Sequence, residues 1–479
     1  MSLMLYNDLT REKEKFVPLR ERRVSFYSCG PTVYDFFHIG NARPFIVFDV
    51  LRRYLEHVGY EVTFVQNFTD IDDKMINRAN AEGITVPELA ERFIAEYCRD
   101  ADALGIRRAT VAPRATEHMP EIIALISGIV EKGHAYEVKD PSGNGDVYFD
   151  VRSYPPYGRL SKQSLDELES GARVEVGEAK KDPLDFALWK AEKPGEPSWD
   201  SPWGRGRPGW HIECSAMSSK YLGSTIDIHS GGVDLTFPHH ENEIAQTEAA
   251  TGVPFVRFWL HNGFLLIDKE KMSKSLGNFM TARAAREKYP PLAIRLFMLS
   301  AHYRSPINFA PEGLEQAVGG VTRLRNSWAD LRYARASRAG EGVDAAAFVE
   351  ELGKFDASFF EAMDDDFNTA AAVGVLFEVV RLVNTWLRDH PVLPVKFFDA
   401  AEEELRKLDD ILGVVGVDEA KDADADEIER LIRERVAARK SKDFKRSDEI
   451  RDALLARGIV LEDTSTGTKW KRKLQHDAP

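Results

Sequence analysis

Cysteine is scarce in this chain: Cys29, Cys98 and Cys214 are the only three in 479 residues, an odd number set far apart. That argues against a disulfide scaffold and for a reducing compartment. Positive charge is not in excess either, since 78 acidic residues against 64 basic ones give a net charge of −14. A uniformly basic nucleic-acid coat is thereby excluded, and a polyanion would have to find a local basic patch. The first residues mix both charge signs and hold no long apolar run. Neither a secretory leader nor a membrane anchor is expected, and the expected location is the cytoplasm, with no membrane partner. There is no G-x-x-x-x-G-K-[ST] loop, no C-x-x-C pair and no internal repeat, which removes a Walker-type NTPase and a zinc-knuckle protein. With 43% hydrophobic and 30% charged residues, the chain can bury ordinary cores, in about two to four domains by length.

Local patterns divide it further. Residues 24–29 are β-rich and end at Gly30-Pro31; a helix is expected from about Ala42, with Phe48, Leu51 and Leu55 at helical spacing and Gly59 as its stop; residues 61–67 form a second strand. Strand–helix–strand in so few residues is a βαβ unit and implies a parallel sheet. Ile226–His229 and Phe264–Ile267 read as later buried strands. Between them, residues 120–205 are dense in Pro, Gly, Asn and Asp, as expected of a small β-rich insertion. From 311 the pattern turns helical, with Leu376, Val379, Val380, Val383 and Leu387 on one face. Residues 401–429 carry twelve acidic against three basic residues, and 430–479 reverse to fourteen basic against eight acidic. Either run alone can be a solvated helix face; the abrupt change of sign fits a linker followed by a separate basic module.

Three clusters carry chemistry. His38-Ile-Gly-Asn41 lies where the first strand passes into the first helix, and a helix N-terminus offers free N–H groups and partial positive charge to a phosphate. Gly40 allows close approach, while His38 and Asn41 can donate. Lys271-Met-Ser-Lys274-Ser275 follows a late strand; two lysines three apart form a cationic clamp suited to charge on a leaving pyrophosphate. Either lysine singly could be an ordinary exposed side chain. The third cluster is scattered: Cys29, Cys214, His239 and Glu243 supply two thiolates, an imidazole and a carboxylate, a plausible zinc set, with the last two on one face of a helix by their spacing. Each cysteine could instead be a small buried hydrophobe, which is the reading given to Cys98. Gly204-Arg-Gly206-Arg-Pro-Gly209 fits G-x-G-x-x-G, but with no strand expected before it and a proline inside, a dinucleotide site is rejected.

The first two clusters together resemble the signatures of class I aminoacyl-tRNA synthetases. Four more segments, Cys29–Asp35, Thr69–Lys74, Gly209–Met217 and Phe237–Ile244, make the chain similar to the cysteinyl-tRNA synthetase family over essentially its whole length. The resemblance implies an α/β fold: a Rossmann-like parallel-sheet catalytic domain in two halves (1–119 and 206–310), an inserted connective domain (120–205), a helical bundle (311–415) that contacts the tRNA stem, and a small C-terminal basic module (430–479) that binds the anticodon. It implies a ligase that activates L-cysteine with ATP to cysteinyl-adenylate and transfers it to the 3′ end of tRNA(Cys), with Zn2+ on Cys29, Cys214, His239 and Glu243 and Mg2+ accompanying ATP. A monomer is expected.

The roles implied are His38 and Asn41 on the triphosphate, and Lys274 supported by Lys271 on the transition state. Gly40, Gly231, Gly232 and Asp234 would face ATP, Asp234 being a ribose or amine partner. Gly30, Thr69 and Trp210 would line the amino-acid pocket, although Trp210 alone could be a core aromatic. Trp470, exposed among basic residues, would stack on a tRNA base, a disordered basic tail being the alternative. Asn41 departs from the family, whose usual residue there is histidine; asparagine donates but carries no charge, which leaves a proton-dependent role in doubt. Zinc has a physical rationale: an apolar pocket separates near-isosteres by only about 1–3 kcal/mol, whereas a soft metal holds a substrate thiolate far better than a serine hydroxyl. The substrate's sulfur is therefore expected on the metal, with no editing domain. A mycothiol-type ligase, joining cysteine to an amino sugar, shares both signatures and the zinc pattern but lacks a C-terminal tRNA-binding region.

Overall fold

The computed structural model describes residues 2–139, 143–165, 167, 180–267, 270–271, 280–417, 425–464 and 467–473. Two compact units divide the chain: Ser2–Ala282 with Tyr303–Ile307, and Arg283–His302 with Asn308–Pro479.

The first unit is built on four parallel strands, β1 (Arg23–Ser28), β2 (Glu61–Gln66), β3 (Ile226–Gly232) and β4 (Val256–Asn262), in the order β4-β3-β1-β2. Helix α1 (Ile39–His57) joins β1 to β2, α2 (Trp210–Leu222) precedes β3, and α3 (Glu241–Thr251) joins β3 to β4. Helices over the sheet require apolar strands: Phe26 is fully buried, pairs with Phe64 across β1–β2 at 4.9 Å between ring centres, and sits opposite Ile228 on the other side. Strand order reverses between β1 and β3, and in such sheets the crevice at the carboxyl ends beside that switch is where ligands bind.

Helix α1 begins earlier than the apolar spacing predicts. His38 caps it, its Nδ1 accepting the Asn41 backbone N–H at 3.2 Å, as a serine hydroxyl would. The chain leaves the helix through Gly59, whose φ of +93° a side chain would oppose. Four strands form a separate antiparallel sheet in the order Ala135–Lys139, Gly145–Phe149, Phe186–Ala191, Gly206–Pro208. The helix Met119–Glu131 ahead of it packs on α2 and α3. The G-x-G-x-x-G look-alike itself contains the short strand Gly206–Pro208. That strand pairs antiparallel with Phe186–Ala191, and added Cβ atoms at Gly206 and Gly209 would strike the Lys190 and Ala187 carbonyls. These glycines serve strand contact, which adds a second reason to reject a dinucleotide site.

The second unit carries four long helices, Pro311–Arg338, Ala346–Asp364, Thr369–Asp389 and Val395–Leu412. Among the described residues only Thr369–Asp389 is long and apolar enough to cross a membrane. Its Leu376, Val379, Val380 and Val383 are buried, and it packs against the helices on either side of it in sequence. Two shorter helices, Ala425–Lys440 and Phe444–Ala456, and a hairpin of Ile459–Thr464 with Gly467–Arg472 follow. They enclose a small core of Ile428, Ile432, Ile450, Leu454 and Ile459.

Candidate active site and metal centre

Cys29 is the residue immediately after β1, not the last of the strand. Cys214 lies on α2. His239 lies in the tight turn Thr236–His240 that feeds α3, and Glu243 in the first turn of α3. The elements meet at the carboxyl end of β1 beside the switch, and donor atoms of the four side chains all fall within 4.8 Å of one another. His239 Nε2 is 3.0 Å from Glu243 Oε1, and Cys29 Sγ is 3.7 Å from the same oxygen. His239 and Cys214 are each 2% exposed and Glu243 is fully buried.

So many ionisable groups are not left in a protein interior without mutual compensation. Burial pushes the Glu243 carboxyl up, but His229 and His239 more than offset this and hold it at about 2. Burial works against a charged His239, yet Glu243 and Cys214 carry it to about 10. The Cys29 contact brings the Cys214 thiol down to about 6 against its own burial, while burial drives Cys29 up. Left to itself the cluster keeps a proton on His239 to balance its anionic donors. Two thiols, one imidazole and one carboxylate, buried together and not joined as a disulfide, fit a divalent soft-to-borderline cation in that proton's place.

A second set, Cys29, His229, His240 and Glu243, also falls within 4.8 Å, sharing two members with the first. Sequence reasoning missed it, although His240 lies inside the Phe237–Ile244 segment. Its histidines are engaged behind the first set: His229 Nε2 meets Glu243 Oε2 at 2.8 Å, and His240 Nδ1 meets His261 Nε2 at 2.7 Å. His261 Nδ1 in turn meets Asp8 Oδ2 at 2.7 Å. Such partners fix the orientation of the groups they touch. Asn67 was also missed. Its Oδ1 accepts the Gly30 N–H at 2.9 Å and lies 3.8 Å from Cys214 Sγ, and its Nδ2 donates to Thr69.

The other candidates have these surroundings. Gly30 passes so close to the Asn67 carbonyl that no Cβ fits. Thr69 is buried beside Asn67, and Trp210 is 41% exposed, with its ring 4.3 Å from that of His239, so it is a lid-like surface over a cluster residue and not a core aromatic. Gly231 and Gly232 belong to β3 itself and do not follow it, because the strand runs three residues beyond its expected end. A Cβ on Gly231 would come within 2.8 Å of His240 Cε1. Asp234 is exposed in the turn after β3. His38, Gly40 and Asn41 are half-buried at the head of α1. Lys271 ends the short strand Glu270–Lys271, paired with Leu265–Ile267, and Lys274 lies outside the described residues. In the second unit Trp470 is half-buried, not exposed as expected. It packs on the small C-terminal core, donates Nε1–H to Glu429 at 2.8 Å, and lines a cavity of about 300 Å³ with Arg325, Trp328 and Arg332.

The chain matches solved structures of one class. Mycobacterium tuberculosis methionyl-tRNA synthetase in complex with methionyl-adenylate aligns at 16% identity and a TM-score of 0.58, over 82% of this chain and 90% of that one. Agrobacterium radiobacter K84 LeuRS, in a ternary complex with tRNA, aligns at 12% and 0.60, over 84% and 85%. The fold is therefore that of the class I aminoacyl-tRNA synthetases. Residues 15–319 match the family model for the tRNA synthetases class I (C) catalytic domain, 358–416 that for the DALR domain, and 422–470 that for the cysteinyl-tRNA ligase anticodon binding domain. The cysteine--tRNA ligases of Caldicellulosiruptor saccharolyticus and Lysinibacillus sphaericus are 56% and 53% identical, over 98% of this chain and the whole of each relative. The chain belongs to the cysteinyl-tRNA synthetase family.

Proposed function

We propose that this ligase activates L-cysteine with ATP at the carboxyl end of its parallel sheet and passes it to the 3′ end of tRNA(Cys), selecting the amino acid at Cys29, Cys214, His239 and Glu243. The observation that carries this is the convergence of those four donors within 4.8 Å, at the end of the strand whose next helix starts at His38-Ile-Gly-Asn41. Two thiolates make this set softer than the overlapping one with His229 and His240, so it is the one assigned to Zn2+. Bound there, zinc supplies a soft Lewis acid that favours a thiolate sulfur over a hydroxyl.

The chain's own residues align and neutralise; neither step needs a protein nucleophile. The cysteine carboxylate attacks the α-phosphate, and pyrophosphate leaves with its charge met by the N–H groups at the head of α1, by His38 and Asn41, and by Lys274 supported by Lys271. Gly40, Gly231, Gly232 and Asp234 would lie along the nucleotide, which brings Mg2+ with it. Gly30, Thr69 and Trp210 would bound the amino acid. The tRNA ribose hydroxyl then attacks the acyl carbon and AMP departs. We assign 1–119 and 206–310 to catalysis, 120–205 to the insertion, 311–415 to the stem contact and 430–479, with Trp470, to the anticodon, in a cytoplasmic monomer without a membrane partner. A mycothiol-type ligase is disfavoured, because the anticodon-binding family model covers residues 422–470.

Cysteine-dependent ATP–pyrophosphate exchange, run with and without chelation and followed by tRNA charging, tests this. Exchange that survives complete metal removal, or that accepts serine as readily as cysteine, refutes the proposed selection.

A further inference from the structure

Arg43 is fully buried, one turn into the helix that His38 caps, and no sequence signal singled it out. Its guanidinium reaches off the helix to three main-chain carbonyls: Nη1 donates to Gly263 at 2.7 Å and Phe264 at 3.0 Å, and Nη2 donates to Ser305 at 2.6 Å. Gly263 and Phe264 form the corner between β4 and Leu265–Ile267, the strand paired with Glu270–Lys271 at the start of the lysine signature. That corner has no room to spare, since a Cβ on Gly263 would lie 2.6 Å from the Arg304 carbonyl. The far end of the same segment returns to the same helix start. The Ile39 N–H donates to Met280 at 2.9 Å and the Ala282 N–H donates to Phe37 at 3.0 Å, on either side of the bridge between His38 and Thr281.

We infer that Arg43 is a positioning residue which sets where the lysine signature stands relative to the phosphate-facing head of α1, by holding the entry of the segment whose exit is held at Phe37–Ile39. The inference rests on the proposed role of Lys271 and Lys274. A buried guanidinium is a costly way to fill space, and its cost is met by strong charge-assisted bonds to carbonyls. Burial draws Arg43 down to about 10, so it stays charged at neutral pH. Its planar fork serves two separate segments at once, which a lysine's single ammonium cannot reproduce. A displacement of about 1 Å in a catalytic group costs up to roughly 100-fold in rate, so an entry anchor far from the substrate can still govern turnover.

The test is pyrophosphate exchange normalised to titrated active sites, in Arg43→Lys, Arg43→Gln, Lys274→Ala and the double variant Arg43→Lys/Lys274→Ala, with zinc content and cysteine affinity measured on each. Arg43→Lys is expected to keep its zinc and its cysteine affinity while the rate per site falls about 10- to 100-fold, and Arg43→Gln to be slower again. The double variant is expected to be no slower than Lys274→Ala, since Arg43 acts through that loop. A loss confined to the number of titratable sites, with the rate per site unchanged, would mean Arg43 only stabilises the fold and would overturn the inference. So would losses that multiply in the double variant. A full-speed Lys274→Ala removes the lysine clamp itself, whereas a slow Lys274→Ala beside a full-speed Arg43→Lys removes only the role of Arg43.

Discussion

The two units handle charge in opposite ways. In the parallel-sheet unit, Cys29, Cys214, His239, Glu243, His229 and His240 are packed out of water, and burial and close neighbours move Cys29, Cys214, His239, His240 and Glu243 away from their ordinary protonation. In the C-terminal module the ionisable groups pair off one against another, mostly near the surface, with Arg435 buried. Arg435 and Arg439 both hold Asp463, Lys469 and Lys471 both reach Glu462, and Arg446 meets Glu434. Exposed pairs contribute about 0–1 kcal/mol each, whereas breaking a buried set by removing one partner costs about 3–5 kcal/mol. One unit concentrates its electrostatics in a centre that cannot lose a member, and the other spreads it over a face that can. The difference also bears on the fourteen basic residues of 430–479, several of which are engaged by carboxylates of the same module.

The sharpest way to break the contrast is Cys214→Ala. It should abolish tight metal binding and cysteine activation together, read as metal content by elemental analysis and as pyrophosphate exchange; activity retained with a full complement of metal would mean the overlapping set is the true one. Next in size, Lys274→Ala should slow activation about 100- to 1,000-fold with metal content unchanged, which separates the clamp from the metal centre. Gly30→Ala should cost about 1–3 kcal/mol as its Cβ is driven into the Asn67 carbonyl, seen as a lower Tm and a weaker KM for cysteine. The smallest effect belongs to the second unit. Arg435, with help from Thr468 and Arg439, holds the Asp463 carboxyl well below its usual value against some desolvation. A depressed folded-state pKa stabilises above the ordinary aspartate range and is lost as pH falls through that range toward the depressed value. Asp463→Asn should therefore flatten the acid limb of the C-terminal module's stability while leaving pyrophosphate exchange at neutral pH untouched. A change in exchange would show that the two units are not independent in function.

Much of the site was legible because its chemistry is carried by uncommon residues in short runs. His38-Ile-Gly-Asn41, Lys271–Ser275 and Phe237–Ile244 announce themselves in one dimension. The strands around β1 and β2 were readable because a doubly covered sheet demands apolar runs. What escaped was of another kind. Asn67, His229, His261 and Asp8 act through partners up to 253 residues away, and no local pattern records such a pairing. Trp470 was misjudged because its neighbours in sequence are charged, while in space it packs against the apolar cluster of Ile428, Ile432, Ile450, Leu454 and Ile459. The start of α1 was misplaced because histidine is an uncommon cap, working here only because the turn brings Nδ1 to the Asn41 N–H.

The amino-acid sequence alone determined which groups this protein has to work with: two thiols, a carboxylate and an imidazole able to hold a metal ion, two lysines three residues apart, and strand and helix periods that require a parallel sheet. Tertiary structure decided which of those groups share one centre, which histidines stand behind it, and that a buried arginine bonds the first helix to the corner after β4. The reason is that side-chain type and local period are properties of near neighbours. The distance between donor atoms is set by how whole strands and helices pack, and only the folded chain contains that information.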